Sequence, residues 1–269
     1  MRNKKDKSAA PADGSMTLGG HLSEFRSRLI VCLAVLIVGF LICMTQARGF
    51  SELLISRATM FRFIYTSPTE LFMVYMRLAL IGAVIIDAPV VAYEVWAFMK
   101  PGLKENEKRA IRLTFGFGII LFVTGTLFAF FMILPISTQF FYSLNKGELI
   151  QPMISIESYV NYVTQILLAF GVVFELPVVV VMLTSIGVLR SSFLRRNTKF
   201  VIVAVFLAAA IITPPDVTSQ VLVAIPMLAL FEVSVFLSSI IEKRKRRKLE
   251  DAGEEAANDK EEDNGKEET

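Results

Sequence analysis

The sequence predicts an all-α integral membrane protein of six transmembrane helices, with both termini on one side of the bilayer. Three observations carry that expectation. Hydrophobic residues make up 54% of the 269, against 20% charged. The apolar residues gather in six runs separated by short polar stretches. Of the 28 Lys and Arg, 23 fall in the N-terminal, second-to-third, fourth-to-fifth and C-terminal segments; four lie opposite, and Arg77 lies within a run. About 20 apolar residues cross the hydrocarbon as a helix, and Lys and Arg concentrate in cytoplasmic segments. Both termini are therefore expected in the cytoplasm, as an even number of spans also requires. This composition excludes a disordered chain and a secreted disulfide scaffold.

Residues 1–16 read as a disordered basic segment, and 17–242 as the six-helix domain. Leu18, Leu22, Phe25 and Leu29 fall at i, i+4, i+7 and i+11, with His21, Glu24 and Arg28 on another face. This predicts a helix at the membrane surface that continues into the first span, Leu29 to Thr45. Glu24 and Arg28, four apart, read either as a local ion pair or as Glu24 offered to a cationic ligand. No small-residue cleavage site lies behind the first run, so it reads as a span and not as a signal peptide. Cys32 and Cys43 are roughly 16 Å apart along one helix, too far for a bridge.

The second span, Leu71 to Met99, contains Arg77, Asp87, Pro89 and Glu94. Asp87 and Glu94, seven apart, share one helix face. The loop that follows has a turn signal and a charged helix start, where Glu105 and Glu107 complement the helix dipole. The third span is Ile111 to Leu134. The fourth, Tyr159 to Ser185, is interrupted by Glu175 and Pro177. The fifth, Phe200 to Ile212, reaches only about 20 Å, against roughly 30 Å of hydrocarbon, and implies a thinned bilayer beside it. Thr213-Pro-Pro-Asp216 ends that helix, and Asp216 can N-cap the next. The sixth, Val217 to Ile241, contains Pro226 and Glu232.

Residues 243–269 read as a basic anchor on anionic lipids, Lys243 to Lys248, followed by a disordered acidic tail. Nucleic acid is not an expected partner. Charges at membrane depth face a cavity, a partner or each other. Glu94 and Glu232 suit the headgroup region. Glu175 lies near the middle of its span, where Pro177 frees a carbonyl one turn back, and reads as an intramembrane polar site. The single histidine, His21, lies in a charged stretch. It leaves histidine metal sites and Ser-His chemistry without residues, so no catalytic residue, metal or cofactor is expected.

Five motifs occur in order. They are His21-Leu-Ser-Glu-Phe-Arg-Ser-Arg-Leu29; Ser67-Pro68; Ala88-Pro89 with Tyr93-Glu-Val-Trp-Ala-Phe98 and Pro101-Gly-Leu-Lys-Glu-Asn-Glu107; Phe170-Gly-Val-Val-Phe-Glu-Leu-Pro177; and Thr213-Pro-Pro-Asp-Val-Thr-Ser-Gln220. On this hydropathy pattern they resemble the TatC family, the multispanning signal-peptide receptor subunit of the twin-arginine protein translocase, over about residues 17–242. The resemblance implies export of folded proteins across the bacterial cytoplasmic membrane, driven by the proton-motive force. It implies TatA- and TatB-type single-span partners and other copies of the chain itself. Glu24 and Glu107 would bind the paired signal arginines, with Arg26, Phe98, Lys104 and Lys108 lining that surface. Glu175 would be the glutamate of a concave membrane face. Thr213, Asp216 and Gln220 would form the outer cap and partner site. The family usually has Gln at position 94 and Leu at 25, where this chain has Glu94 and Phe25.

The residues' chemistry agrees. A guanidinium makes paired hydrogen bonds to a carboxylate that an ammonium cannot copy, so two carboxylates on one surface discriminate paired arginines from paired lysines. The alternative is a secondary transporter of a small solute, which intramembrane carboxylates and proline-broken helices also suit. The absence of an internal repeat speaks against it.

Overall fold

The computed structural model describes residues 18–100, 105–144, 153–212 and 217–267. The first helix, α1 (Leu18–Arg57), fuses the surface helix and the first span into one rod. It ends in a turn into a three-residue strand, β1 (Arg62–Ile64). Helix α2 (Glu70–Met99) returns antiparallel. Gly39, Cys43 and Ala47 of α1, four apart, are buried at this crossing, as are Ala79 and Ala83 of α2. Small side chains let two helix backbones approach where dispersion, not water exclusion, drives association. Pro89 sits inside α2 with an exposed ring.

The third run is one long rod. Helix α3 (Glu105–Phe128) passes through a π-helical turn (Ala129–Ile133) into α4 (Leu134–Ser143). Pro135 has no N–H for the carbonyl four residues back, and a widened turn ahead of it is where such a missing bond is absorbed. Ser137 and Thr138 then donate to the carbonyls of Ile133 and Leu134, both at 2.8 Å. Gly125 is needed here. A Cβ would lie 2.6 Å from both the Phe170 carbonyl oxygen and the Phe174 ring of the next span.

A second strand, β2 (Met153–Ser155), pairs in parallel with β1, Arg62 opposite Met153. Hydropathy gave no hint of these strands, which are too short to show a period. Helix α5 (Ile156–Phe174) is the axle of the fold, with Val160, Val163, Ile166 and Phe170 at most 1% exposed. The fourth span breaks at Glu175 and resumes as α6 (Leu176–Ser185), with Pro177 in its first turn. The short α7 (Ser191–Arg196) leads to α8 (Thr198–Ile212). At 15 residues α8 rises about 22 Å, which agrees with the short fifth helix expected. Among the described residues, five helical stretches are long and apolar enough to cross a membrane, and α8 is a shorter apolar helix beside them.

Helix α9 (Val217–Glu267) differs from expectation. It runs through the basic segment and the acidic tail, which composition marked as disordered. Ala, Glu and Lys dominate that tail and are strong helix formers, and Arg246 pairs with Glu250 one turn on at 3.4 Å. Helix α9 is fastened to α6 by a Thr184–Ser238 hydroxyl bond of 2.8 Å. Glu242 accepts from the Ser191 hydroxyl and, at 3.2 Å, from the Ser191 N–H.

Candidate functional site

The site is built where the start of α1 meets the end of α2. Arg28 is its centre. Its Nε and Nη2 donate to Glu24 Oε1 at 3.0 and 2.7 Å, and its Nη1 donates to Glu94 Oε2 at 2.9 Å. The three side chains are 27%, 19% and 15% exposed, Arg28 first. Two carboxylates share one guanidinium, so the cluster keeps one net negative charge. Glu24 Oε2 is buried and has no hydrogen-bond partner among the described residues.

An aromatic platform adjoins the cluster. The Phe98 ring stacks on His21 at 4.3 Å and meets Phe25 edge-on at 5.6 Å. Two turns of helix bring this about, because His21, Glu24 and Arg28 lie on one side of α1 at spacings of three and four. Phe25, expected in the apolar stripe, borders that side and reaches Phe98 too. Trp96 lies beside Tyr93, and the Lys100 ammonium is 5.6 Å from the indole centroid. The Trp96 Nε1 is buried, with no acceptor among the described residues. Arg26 is exposed.

Other expected residues fall differently. Glu107 and Lys108 lie on the first turn of α3, but their side chains are outside the described residues. So are Lys104, Thr213 and Asp216 as a whole. Gln220 is engaged internally. Its Nε2 donates to the Phe206 carbonyl at 2.8 Å and ties α9 to α8.

Glu175 sits at the α5–α6 break, against Gly118 of α3, where a Cβ would come within 2.9 Å of its Oε2. It lines a cavity of about 230 Å³ with Ala88, Val91, Val95, Ile119 and Phe122. It is therefore a lone acid on an apolar wall. Among the described residues, no three His, Cys, Asp or Glu converge in a way that could hold a metal.

Sequence reasoning singled out Glu24, Phe98 and Glu175; the structure forms the Glu24–Arg28 pair and brings Phe98 to the same end of α1. Sequence reasoning missed that Arg28 bridges to Glu94, 66 residues away, and that His21 stacks on Phe98. The seven-residue spacing of Asp87 and Glu94 was the available signal, since it turned both acids toward one neighbour.

The fold and site together define a multispanning membrane protein with an aromatic-lined carboxylate cluster at one end. The profile of the Sec-independent protein translocase protein TatC matches residues 20–226. The TatC of Carboxydothermus hydrogenoformans is 36% identical over 235 residues, 86% of this chain and 96% of its own length. That of Aquifex aeolicus is 37% identical over 237 residues, 86% and 98%. A crystal structure of the twin-arginine translocase receptor TatC superposes with a TM-score of 0.75 at 35% identity, covering 82% of this chain and 99% of the other. The chain belongs to the TatC family, and its role is protein transport. The solute-transporter alternative finds no support among these relatives.

Proposed function

We propose that this TatC-family subunit recognises twin-arginine signal peptides at the cytoplasmic face of the bacterial inner membrane, and that Glu24 is the first acceptor of a signal arginine. One observation supports this most: Arg28 uses Glu24 Oε1 but, among the described residues, Oε2 has no donor. Glu94 holds the other arm of Arg28, so an incoming guanidinium can bond Glu24 without displacing that internal cation. The His21–Phe98 stack beside it suits the flat face of a second guanidinium or an apolar residue of the peptide. Glu107 is the second carboxylate, with Arg26, Lys104 and Lys108 around it.

Both termini are cytoplasmic in this reading. The short α8 and the lone Glu175 accommodate a signal segment that enters the membrane part-way. TatA- and TatB-type single-span subunits are recruited at the outer end, around Thr213, Asp216 and Gln220, and transport draws on the proton-motive force. The basic start of the α9 extension lies on anionic lipid headgroups, and further copies of the chain complete the complex.

The experiment is binding of a labelled twin-arginine signal peptide to the purified protein, against a twin-lysine version. Loss of a charge-assisted hydrogen bond weakens binding about tenfold to a hundredfold. The twin-lysine peptide and the Glu24→Ala and Glu107→Ala variants should each show that loss. Equal binding of both peptides, insensitive to both substitutions, would remove the site.

A further inference from the structure

The α1–α2 crossing carries another acid that signal-peptide binding leaves unused. Asp87 stands seven residues before Glu94 on the same face of α2, about 10 Å further into the membrane. It is 6% exposed, and among the described residues its Oδ2 has no hydrogen-bond donor. Gly39 of α1 makes room for it, since a Cβ at that position would collide with the carboxylate. Asp87 and Gly39, with Ala34, Val38, Ile42 and Ile86, line a groove of about 300 Å³. Val38, Ile42 and Ile86 are 56–60% exposed there. Helix α1 is also the least covered of the five long apolar helices. Its most apolar window is 11% buried, against 28–39% in the others.

A lipid chain fills an apolar groove, but it has no donor to offer. A buried carboxyl without a partner is costly in an apolar medium, and small residues at a groove floor let another backbone come close. We propose that this groove docks a membrane-spanning helix of another chain, one presenting a hydroxyl or carboxamide donor to Asp87. A second copy of this chain does not supply that donor. Its exposed carboxamides on the described apolar helices all lie nearer the strand-bearing end. Asn161 and Gln165 are in the first half of α5, within about 15 Å of that end. Gln139 is near the end of α4, and Gln46 is seven residues beyond Gly39 on α1, about 10 Å from the depth of Asp87. Asp87 is 17 residues along α2 from Glu70 at that same end, about 25 Å away. Copies inserted the same way up therefore hold these groups at different depths. Thr124, an exposed hydroxyl on α3, already donates to the Ile120 carbonyl at 2.7 Å. The inference is independent of the signal-peptide reading.

The test uses the full-length protein in lipid nanodiscs with two synthetic helices of about 20 residues. One is all leucine, and the other has a single central Asn. Each carries a photoreactive group beside its central residue, and crosslinks are mapped by mass spectrometry. The Asn helix should label residues 34–42 and Ile86 about threefold to thirtyfold more than the leucine helix, the range of an interhelical hydrogen bond in a membrane. Asp87→Leu and Val38→Trp should each abolish that preference. Val38→Trp blocks the groove from its exposed side and leaves the buried α1–α2 contact alone, so it reports even where Asp87→Leu misfolds. Equal labelling by the two helices, or a preference that survives Val38→Trp, overturns the proposal. Disulfide-linked dimers of Val38→Cys copies that form in place of peptide labelling would assign the groove to a second copy and also overturn it.

Discussion

Two acidic clusters occupy opposite ends of α2, and they are finished differently. At the strand-bearing end, Glu70 is 3% exposed, and both of its oxygens are satisfied. Oε2 accepts from the Thr66 N–H at 2.6 Å and the Thr66 hydroxyl at 2.9 Å. Oε1 accepts from the Ser155 hydroxyl and, at 3.1 Å, from the Glu157 N–H. One carboxylate thereby ties the loop after β1 to the start of α5, and Arg77–Glu157 at 3.1 Å adds to it. At the other end, Glu24 and Glu94 share a single arginine, and one Glu24 oxygen has no donor among the described residues. A closed cluster spends all its bonding capacity on the fold. An open one keeps capacity for something that arrives.

The largest expected effect separates the two clusters by readout. Glu24→Ala should cost about tenfold to a hundredfold in signal-peptide affinity, with little change in the thermal unfolding midpoint. Glu70→Ala should do the reverse, lowering the midpoint in detergent and leaving peptide affinity unchanged. If Glu70→Ala weakened peptide binding as much as Glu24→Ala, the two ends would not be separable. Glu175→Leu comes next, because it removes the lone acid of the cavity wall. Transport in vesicles should drop severely while surface binding of the peptide persists, and normal transport would rule out a role for that acid.

Glu94→Gln is a finer probe. Without its second anion, Arg28 is left to Glu24 alone, and the cluster loses its net negative charge. Peptide affinity should fall about twofold to fivefold, the scale of a partly exposed ion pair, and the fall should shrink in high salt. An unchanged affinity at low salt would show that Arg28 does not compete for Glu24. The smallest effect is expected at Arg77→Met. Both partners of that pair are more than one-third exposed, at 39% and 36%, so the unfolding midpoint should hardly move. A large drop would mean that the strand-bearing end depends on this pair as well as on Glu70.

Much of this was legible in the chain. The apolar runs matched the helices because crossing a bilayer constrains each segment separately, by length and hydropathy. Leu71 to Met99 differs from α2 by one residue, and the short fifth run stayed short. Glu24, Phe98 and Glu175 stood out because acids and aromatics in ordered motifs are visible one at a time. The acidic tail reads as disordered from its charge, whereas the structure continues α9 through it, as its Ala, Glu and Lys content allows.

The sequence by itself determined which segments are apolar helices, and that one end of the bundle sets acids and aromatics among its basic residues. Only the tertiary structure decided that Arg28 is divided between Glu24 and Glu94, that Glu70 is closed by donors from residue 66 and from 155–157, and that Asp87 lies against Gly39 with one oxygen unpaired among the described residues. The physical reason is one of range. Hydropathy and helix period are properties of a short window. Which donor meets which carboxylate depends on how two helices cross and turn toward each other, and small residues such as Gly39 and Gly125 set that spacing from far along the chain.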